Sequence, residues 1–175
     1  MTQETINRLV LNEIFVAEKD IGKTSIYKLG IDQQSLGKFK SSGVIISTGT
    51  GSSGWLFSAR RITHSDVRNI LGYLGHQDAQ ELVEDHFAKT VSQQTIFSPD
   101  EERMYYFVRE GYAKDVTNGY NRHKEGFCKH LEFQSELVEG TVYIDGYYKR
   151  DIGLGDVFVV DTKPEYRLKC IKFLL

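Results

Sequence analysis

The sequence predicts a mainly β chain with a two-helix insertion, and therefore an α+β chain overall. Short runs of β-branched and aromatic residues occupy both ends, and the 10 Tyr and 10 Phe add to their strand preference. The 16 glycines against 2 prolines are typical of many tight turns between strands. Only the middle of the chain changes to the spacing of apolar residues that favours helices.

Three strands are predicted in the first part of the chain. The first extends from Leu9 to Val16 and is interrupted by the polar pair Asn12-Glu13. The second, over 25–31, alternates apolar and polar residues with period 2, as a half-buried strand does. The third, over 43–48, is a short apolar run that predicts a strand buried on both faces. It leads into a loop over Gly49–Trp55 that is rich in glycine and hydroxyl groups.

The helical insertion is predicted over about 64–91, either as two helices or as one broken helix. Ser65 is the expected N-cap of the first helix, and Gly72 and Gly75 weaken or end it. The second helix is predicted from Ala79 to about Val91. Its expected buried face is formed by Leu82, Val83, His86 and Phe87.

After Thr95 the chain returns to strands. Asp145-Gly146 is a strong signal for a two-residue hairpin turn, and a second turn is predicted at 153–156. The polar stretch 113–126 predicts a long loop. Strands are predicted over 104–108, 131–135, 141–144, 147–149, 157–160 and 167–174.

Composition excludes several classes of protein. With 40% hydrophobic and 26% charged residues, the chain is neither disordered nor collagen-like. The 22 Lys and Arg against 24 Asp and Glu give none of the basic excess of a general nucleic-acid binder. No apolar run approaches the roughly 20 residues of a membrane span. Two cysteines favour a reducing compartment, and a first strand so near the start leaves no room for a leader or transit peptide.

Three possible catalytic or metal motifs are incomplete. Residues 22–24 (Gly-Lys-Thr) resemble the end of a phosphate-binding P-loop, but Ala17 replaces the required glycine and a strand pattern follows. We interpret them as a hairpin turn between two strands. Residues 51–54 miss the spacing of a nucleophile elbow. No zinc spacing is completed by His123, Cys128 and His130. We therefore expect no catalytic and no metal-ligating residue in this chain.

Two segments have the chemistry of a ligand site. In the Gly49–Trp55 loop, glycines allow close backbone approach, consecutive N–H groups can hold an anion, and the indole can stack on a flat ring. The alternative is a flexible turn with Trp55 buried in the core. In Asn12-Glu13, an amide and a carboxylate can together hold a cis-diol. The alternative is a strand end or bulge at a wet edge, and for both segments the residues alone favour the structural alternative over a ligand site.

Taken together, these segments resemble the C-terminal half of the NAD kinases. Leu11-Asn12-Glu13 resembles the family's Asn-Glu motif, and residues 43–55 resemble its Asp-Gly, strand, Thr-Pro-Thr-Gly-Ser-Thr-Ala-Tyr signature. Ile144-Asp145-Gly146 resembles its late Asp-Gly hairpin. The insertion, Ser98-Pro99 and Arg109-Glu110 are similar to a divergent mitochondrial branch of the family.

The resemblance implies one β-sandwich-like C-terminal domain over residues 1–175 that binds NAD and pairs with a second copy. The implied enzyme phosphorylates the 2′-hydroxyl of the adenosine ribose of NAD with ATP and Mg²⁺, making NADP in mitochondria. The family's catalytic Gly-Gly-Asp-Gly motif does not occur in this sequence. We therefore expect the catalytic N-terminal α/β domain, with its ATP and Mg²⁺, to be absent and the isolated chain to be inactive. Neither nucleic acid nor membrane is an expected partner.

The family's NAD contacts carry over to particular positions. Asn12 and Glu13 would hold the adenosine ribose, and Thr48 and Thr50 would lie beside the adenine. The dinucleotide would also meet Ser53, Gly54, Trp55 and Ser58.

The sequence departs from the family at three places. Ser42 replaces the usual Asp, Gly54-Trp55 replaces Ala-Tyr, and residues 59–61 (Ala-Arg-Arg) replace Ala-Gly-Gly. The two arginines would either reach a phosphate or form surface ion pairs.

Two other functions remain open from the sequence. One is a non-catalytic short isoform or interaction module that pairs with a full-length partner. The other is a β-barrel that binds single-stranded nucleic acid on a Tyr and Phe surface, against which the acidic balance argues.

Overall fold

A computed structural model describes residues 8–75, 81–112 and 124–166. The strands of this part of the chain are β1 (Glu13–Glu18), β2 (Ser25–Ile31), β3 (Gln34–Ser41), β4 (Gly43–Ser47), β5 (Met104–Arg109), β6 (Glu125–Cys128), β7 (His130–Ser135), β8 (Gly140–Ile144), β9 (Tyr148–Ile152) and β10 (Val157–Asp161). The helices are α1 (Trp55–Arg60), α2 (His64–Tyr73) and α3 (Glu81–Gln93), with short 3₁₀ turns at Thr50–Ser53 and Pro164–Tyr166.

The strands form two antiparallel sheets that enclose one hydrophobic core. The six-stranded sheet has the order β6-β5-β4-β1-β8-β9, and the four-stranded sheet has the order β10-β7-β2-β3. The core cluster takes side chains from both sheets, including Val16 and Val44 from the first and Tyr27, Leu29 and Phe133 from the second. This confirms the predicted β-sandwich-like fold with a two-helix insertion.

The outer face of the six-stranded sheet is covered by the 3₁₀ turn at Thr50–Ser53 and by α1. Every residue of β4 is buried, as the sequence predicted. Because alternate side chains of a strand point to opposite faces, Ile45 lies on the side away from the core of the sandwich, yet it is fully buried. Leu56 of α1 is also fully buried, and Trp55 packs on Phe15 of β1 with 4.6 Å between ring centroids. The sheet is therefore covered on both sides near its centre.

Several strand boundaries differ from the prediction. β1 begins at Glu13 and not at Leu9, because the chain bends at residues 11–12. β3 was missed, and the end of the predicted loop 113–126 is β6, which pairs with β5. Residues 22–24 are no hairpin turn, since β1 and β2 on either side of them belong to different sheets. Residues 113–123 and the predicted strand 167–174 lie outside the described residues.

The helix pair also differs in detail. Thr63, not Ser65, caps α2, because its hydroxyl and the Asp66 carboxylate form a reciprocal capping box. The described buried side chains of α3 are Ala88 and, one turn later, Ser92, whereas His86 and Phe87 are exposed. Ala79 and the side chains of Leu82 and Val83 lie outside the described part. Within that part no helix combines the length and the apolar character needed to cross a membrane.

Candidate functional site

The Gly49–Trp55 segment is ordered by its own hydrogen bonds. The Ser52 hydroxyl, fully buried, donates to the Gly49 carbonyl at 2.7 Å and accepts from the Phe97 N–H at 3.1 Å. The segment then passes directly into α1, which begins at Trp55. The alternative of a flexible turn with Trp55 in the core is wrong, because 38% of Trp55 is exposed.

Two glycines of this segment are required by close backbone approach. A Cβ on Gly49 would lie 2.0 Å from the Ser98 carbonyl oxygen, and one on Gly51 would lie 2.2 Å from that of Asn12. Real Cβ atoms do not approach an oxygen so closely, so a side chain here would move the backbone. The glycine pattern of the sequence therefore reflects packing of the loop on Ser98 at Gly49 and on Asn12 at Gly51.

Thr48 joins the loop to Leu11 and Asn12 by three hydrogen-bond contacts, two of them to Asn12. Its N–H donates to the Asn12 carbonyl at 2.9 Å, and its hydroxyl donates to the Leu11 carbonyl at 2.6 Å and the Asn12 carbonyl at 3.2 Å. The same hydroxyl accepts from the Gly51 N–H at 3.2 Å. The two segments singled out in the sequence thus lie together, on one side of the molecule.

The Asp145 carboxylate holds the same segment from another direction. It accepts from the backbone N–H groups of Leu11 at 2.9 Å, Asn12 at 2.6 Å and Glu13 at 3.2 Å. The Asp145 N–H in turn donates to the Glu13 carbonyl at 2.9 Å. The sequence predicted the Asp145-Gly146 turn, which both positive φ angles (50° and 72°) confirm, but it missed the role of the carboxylate. The only sequence signal was an acidic side chain at the first turn position.

Glu13 is the acidic residue of the site whose pKa is shifted. It pairs with the buried Ser47 in the β1–β4 register. Burial, and then the negative charge of Asp145, raise the pKa of its carboxyl above the ordinary value. An amide and such a carboxyl side by side provide the donor and the acceptor that two neighbouring sugar hydroxyls need.

An aromatic cluster with one arginine is built around Phe15, which follows Glu13 by two residues on β1. The Trp55 ring packs on Phe15, which stacks on Tyr143 with 6.3 Å between ring centroids. The Arg109 guanidinium lies 5.7 Å from the Trp55 ring centroid and 5.8 Å from that of Phe15. An open cavity of about 450 Å³ is lined by Trp55, Ser58, Ala59, Phe107, Arg109 and Glu110. Such a surface suits a planar ring next to an anionic group. Sequence reasoning missed Arg109 as a site residue, since only the fold brings it to Trp55.

The predicted site residues fall into two groups. Asn12, Glu13 and Thr48 form a cluster, whereas Trp55 and Ser58 line the cavity. The Ser58 hydroxyl itself donates to the Gly54 carbonyl at 3.3 Å. The remaining predicted residues, Thr50, Ser53 and Gly54, are exposed in and after the 3₁₀ turn.

Arg60 is used in a structural ion pair. Its guanidinium holds the Glu125 carboxylate by two contacts of 2.5 and 2.8 Å and also donates to the Thr95 hydroxyl at 2.9 Å. Both charged side chains are partly buried. Of the two roles considered for this arginine, the ion pair is the one that the structure contains.

No group of three or more His, Cys, Asp or Glu side chains in the described residues is arranged to hold a metal ion. Cys128 is buried, and burial, with the nearby Asp32 charge, raises the pKa of its thiol to about 12. It is therefore a protonated core residue at neutral pH. The His130 ring contacts Asp161 at 2.5 Å, and His123 lies outside the described part.

Comparison with known proteins finds a family whose sequence pattern matches the segment that contains this site. Residues 11–80 match the ATP-NAD kinase C-terminal domain. Mitochondrial NAD kinase 2 is 28% identical over 167 residues in both rat and human, covering 92% of this chain. The alignments cover 39% of the rat and 37% of the human protein, so the chain spans about two fifths of these relatives. An NAD kinase of Clostridium tetani is 49% identical over 49 residues, which is 28% of this chain and 18% of that protein.

Solved structures share the fold. An Archaeoglobus fulgidus NAD kinase in complex with ATP superposes with a TM-score of 0.58 at 18% identity, covering 93% of this chain and 52% of that one. Yeast NADH kinase complexed with NADH gives 0.55 at 15% identity, covering 87% of this chain and 34% of that one. The sequence match spans every residue predicted to bind the dinucleotide, from Asn12 to Ser58. The chain is therefore similar in sequence and in fold to the C-terminal domain of the NAD kinases, with mitochondrial NAD kinase 2 among the proteins it resembles.

Proposed function

We propose that this chain is the NAD-binding domain of an NAD kinase, which transfers a phosphoryl group from ATP to the 2′-hydroxyl of the adenosine ribose of NAD and yields NADP. The observation that supports this most is the packing of Gly51 and Thr48 on Asn12. It joins the Asn-Glu pair and the glycine and hydroxyl loop into one site. The relatives are NAD kinases, and the yeast neighbour was solved with NADH.

In this proposal the Asn12 amide and the Glu13 carboxyl bind the two hydroxyls of the ribose. Thr48 and Thr50 border the adenine. The rest of the dinucleotide runs past Ser53, Gly54, Trp55 and Ser58. Phosphoryl transfer depends chiefly on positioning the acceptor and neutralising charge, so a rigid hold on the ribose is a direct contribution to the rate.

ATP and Mg²⁺ are assigned to another part of the complete enzyme. The described residues offer no cluster that fits Mg²⁺. The chain also spans only about two fifths of its mitochondrial relatives. We therefore propose that this chain alone binds NAD and does not phosphorylate it.

Calorimetric titration of the chain with NAD tests the binding. Weak, saturable binding is expected, and Glu13→Gln is expected to weaken it about tenfold, because it removes a charged acceptor from the diol. Glu132→Gln is the matched control, since Glu132 is exposed on the four-stranded sheet. A folded chain that gives no heat with NAD would contradict the proposal.

A kinase assay tests the division of labour. The chain is assayed with ATP, Mg²⁺ and NAD, alone and together with the catalytic half of a mitochondrial relative. NADP is expected only in the mixture. NADP formed by the chain alone would show that it carries its own catalytic groups.

We also propose that two copies of the domain form a dimer. We place the enzyme in mitochondria because the rat and human relatives are mitochondrial by name. Analytical ultracentrifugation over a range of concentrations is expected to show a dimer. A chain that sediments only as a monomer would contradict the pairing.

A further inference from the structure

The backbone at the start of β1 has three N–H groups, those of Leu11, Asn12 and Glu13, that take no part in the ladder with β8. β1 pairs with β8 only from Ile14 onward. A half-buried N–H without a partner costs free energy, so those of Asn12 and Glu13 need acceptors, and the exposed Leu11 N–H binds the same carboxylate. One side chain provides all of them: the Asp145 Oδ1 accepts from Asn12 and Glu13, and its Oδ2 accepts from Leu11.

The turn geometry aims this carboxylate at the segment. With φ of 50°, Asp145 is in the left-handed region, which Asp tolerates better than most residues. Its own N–H donates to the Glu13 carbonyl at 2.9 Å. The main chain of Asp145 therefore bonds to Glu13, and its side chain bonds to Leu11, Asn12 and Glu13.

The opposite side of the segment is held by Thr48, whose hydroxyl donates to the carbonyls of Leu11 and Asn12. The three N–H groups are thus bound by the Asp145 carboxylate, and the carbonyls of Leu11 and Asn12 are bound by Thr48. With the backbone fixed from both sides, the half-buried side chains of Asn12 and Glu13 are presented from a rigid support.

We propose that Asp145 is a positioning residue: its carboxylate fixes the backbone of residues 11–13 so that the Asn12 and Glu13 side chains meet the ribose diol in one geometry. This inference rests on the proposed function of that pair. Asp145 itself does not touch the nucleotide.

Two substitutions separate the carboxylate from the turn. Asp145→Gly removes the acceptors and keeps a residue that adopts positive φ freely. Asp145→Asn keeps one acceptor oxygen and tolerates the same φ. In calorimetry with NAD, the glycine variant is expected to bind about tenfold more weakly or worse, since misplacing binding groups is costly. The asparagine variant is expected to recover part of that loss.

The matched control is Asp32→Gly. Asp32 also has positive φ in a turn, and its carboxylate accepts from the N–H groups of Lys129 and His130. This substitution is expected to change the free energy of unfolding but to keep the NAD dissociation constant within about twofold of that of the unaltered chain, because Asp32 lies in the other sheet.

Amide hydrogen exchange gives a readout without NAD. Asp145→Gly is expected to speed exchange at residues 11–13 by about tenfold or more, because these amides lose their acceptor. Unchanged exchange there overturns the proposal, as does faster exchange with unchanged NAD affinity. If the unaltered chain binds no NAD, the proposed function fails, and the exchange rates alone decide whether Asp145 orders the segment.

Discussion

Two hairpin turns of the molecule are built in the same way, one in each sheet. The β8–β9 turn has Asp145-Gly146 at its centre and the β2–β3 turn has Asp32-Gln33, all four residues with positive φ. In each turn the Asp N–H donates to a carbonyl of a distant segment at 2.9 Å, Glu13 in one case and His130 in the other. In each, the Asp carboxylate accepts from the backbone N–H groups of that same segment.

The two turns differ in what they hold. Asp145 holds a bent segment that carries the Asn-Glu pair, whereas Asp32 holds the link between β6 and β7. The same device therefore supports a candidate binding site in one sheet and only the sheet in the other. The comparison separates the stabilising effect of such a turn from its effect on a ligand.

The largest expected effect comes from Gly51, which packs against residues 11–13 on the side opposite Asp145. Gly51→Ala forces a Cβ to within 2.2 Å of the Asn12 carbonyl oxygen, against backbone that cannot move away freely. We expect the free energy of unfolding, measured by urea denaturation, to fall by about 3 kcal/mol. The fraction of the Gly51→Ala variant that still folds should bind NAD more weakly than the unaltered chain does.

Gly153→Ala is the control for this substitution, because a Cβ there meets nothing within 4 Å. It should change stability by less than about 0.5 kcal/mol. Equal stability of the two alanine variants would show that residues 11–13 are not held between loop and turn.

The second-largest effect comes from the second central position of each turn, where a glycine is removed from one turn and introduced into the other. Gly146→Ala puts a side chain at φ of 72° and should cost about 1 kcal/mol, with no clash since nothing lies within 4 Å of its Cβ position. Gln33→Gly relieves the same backbone strain at φ of 71° and should gain about 0.5 kcal/mol after the entropic cost of glycine. Urea denaturation measures both. A loss of stability in Gln33→Gly would mean that the two turns are not equivalent.

This difference also explains what the sequence revealed of the fold. Asp145-Gly146 was predicted because both residue types favour positive φ locally. The β2–β3 turn was missed because Gln33 does not favour positive φ. The Asp32 carboxylate of this turn accepts from N–H groups that lie 97 and 98 positions further along the sequence. Local preference predicts a turn only where the chain itself favours it, and a turn held by tertiary bonds escapes detection.

The same limit applies to the site. The family motif brought out Asn12, Glu13 and Trp55 by their residue types and order. Arg109 reaches Trp55 only because β5 joins the six-stranded sheet, and no local pattern indicates that contact. The prediction of the helix cap was wrong for a related reason. Thr63 and Ser65 are both acceptable N-cap residues, and Asp66, three residues after Thr63, decides between them by completing the capping box.

The smallest expected effect is electrostatic and distinguishes the two turns by charge. Burial and the Asp145 charge raise the pKa of Glu13 above its ordinary value near 4.5, so the folded state binds this proton more tightly than the unfolded state. The stability that this proton contributes is complete below pH 4.5 and is lost as the pH rises through the folded pKa. Because Glu13 is partly exposed, solvent screening limits the loss to about 0.3 kcal/mol.

Asp145→Asn should lower the Glu13 pKa, as measured by carbon NMR of its carboxyl, because one of the two causes of the raised pKa is removed. Asp32→Asn should leave it unchanged. Glu13→Gln should abolish the corresponding loss of unfolding free energy between pH 4 and pH 7, when each pH is compared with the unaltered chain. An unmoved Glu13 titration in Asp145→Asn would mean that burial alone sets its pKa, and that Asp145 acts on the segment through its hydrogen bonds and not through its charge.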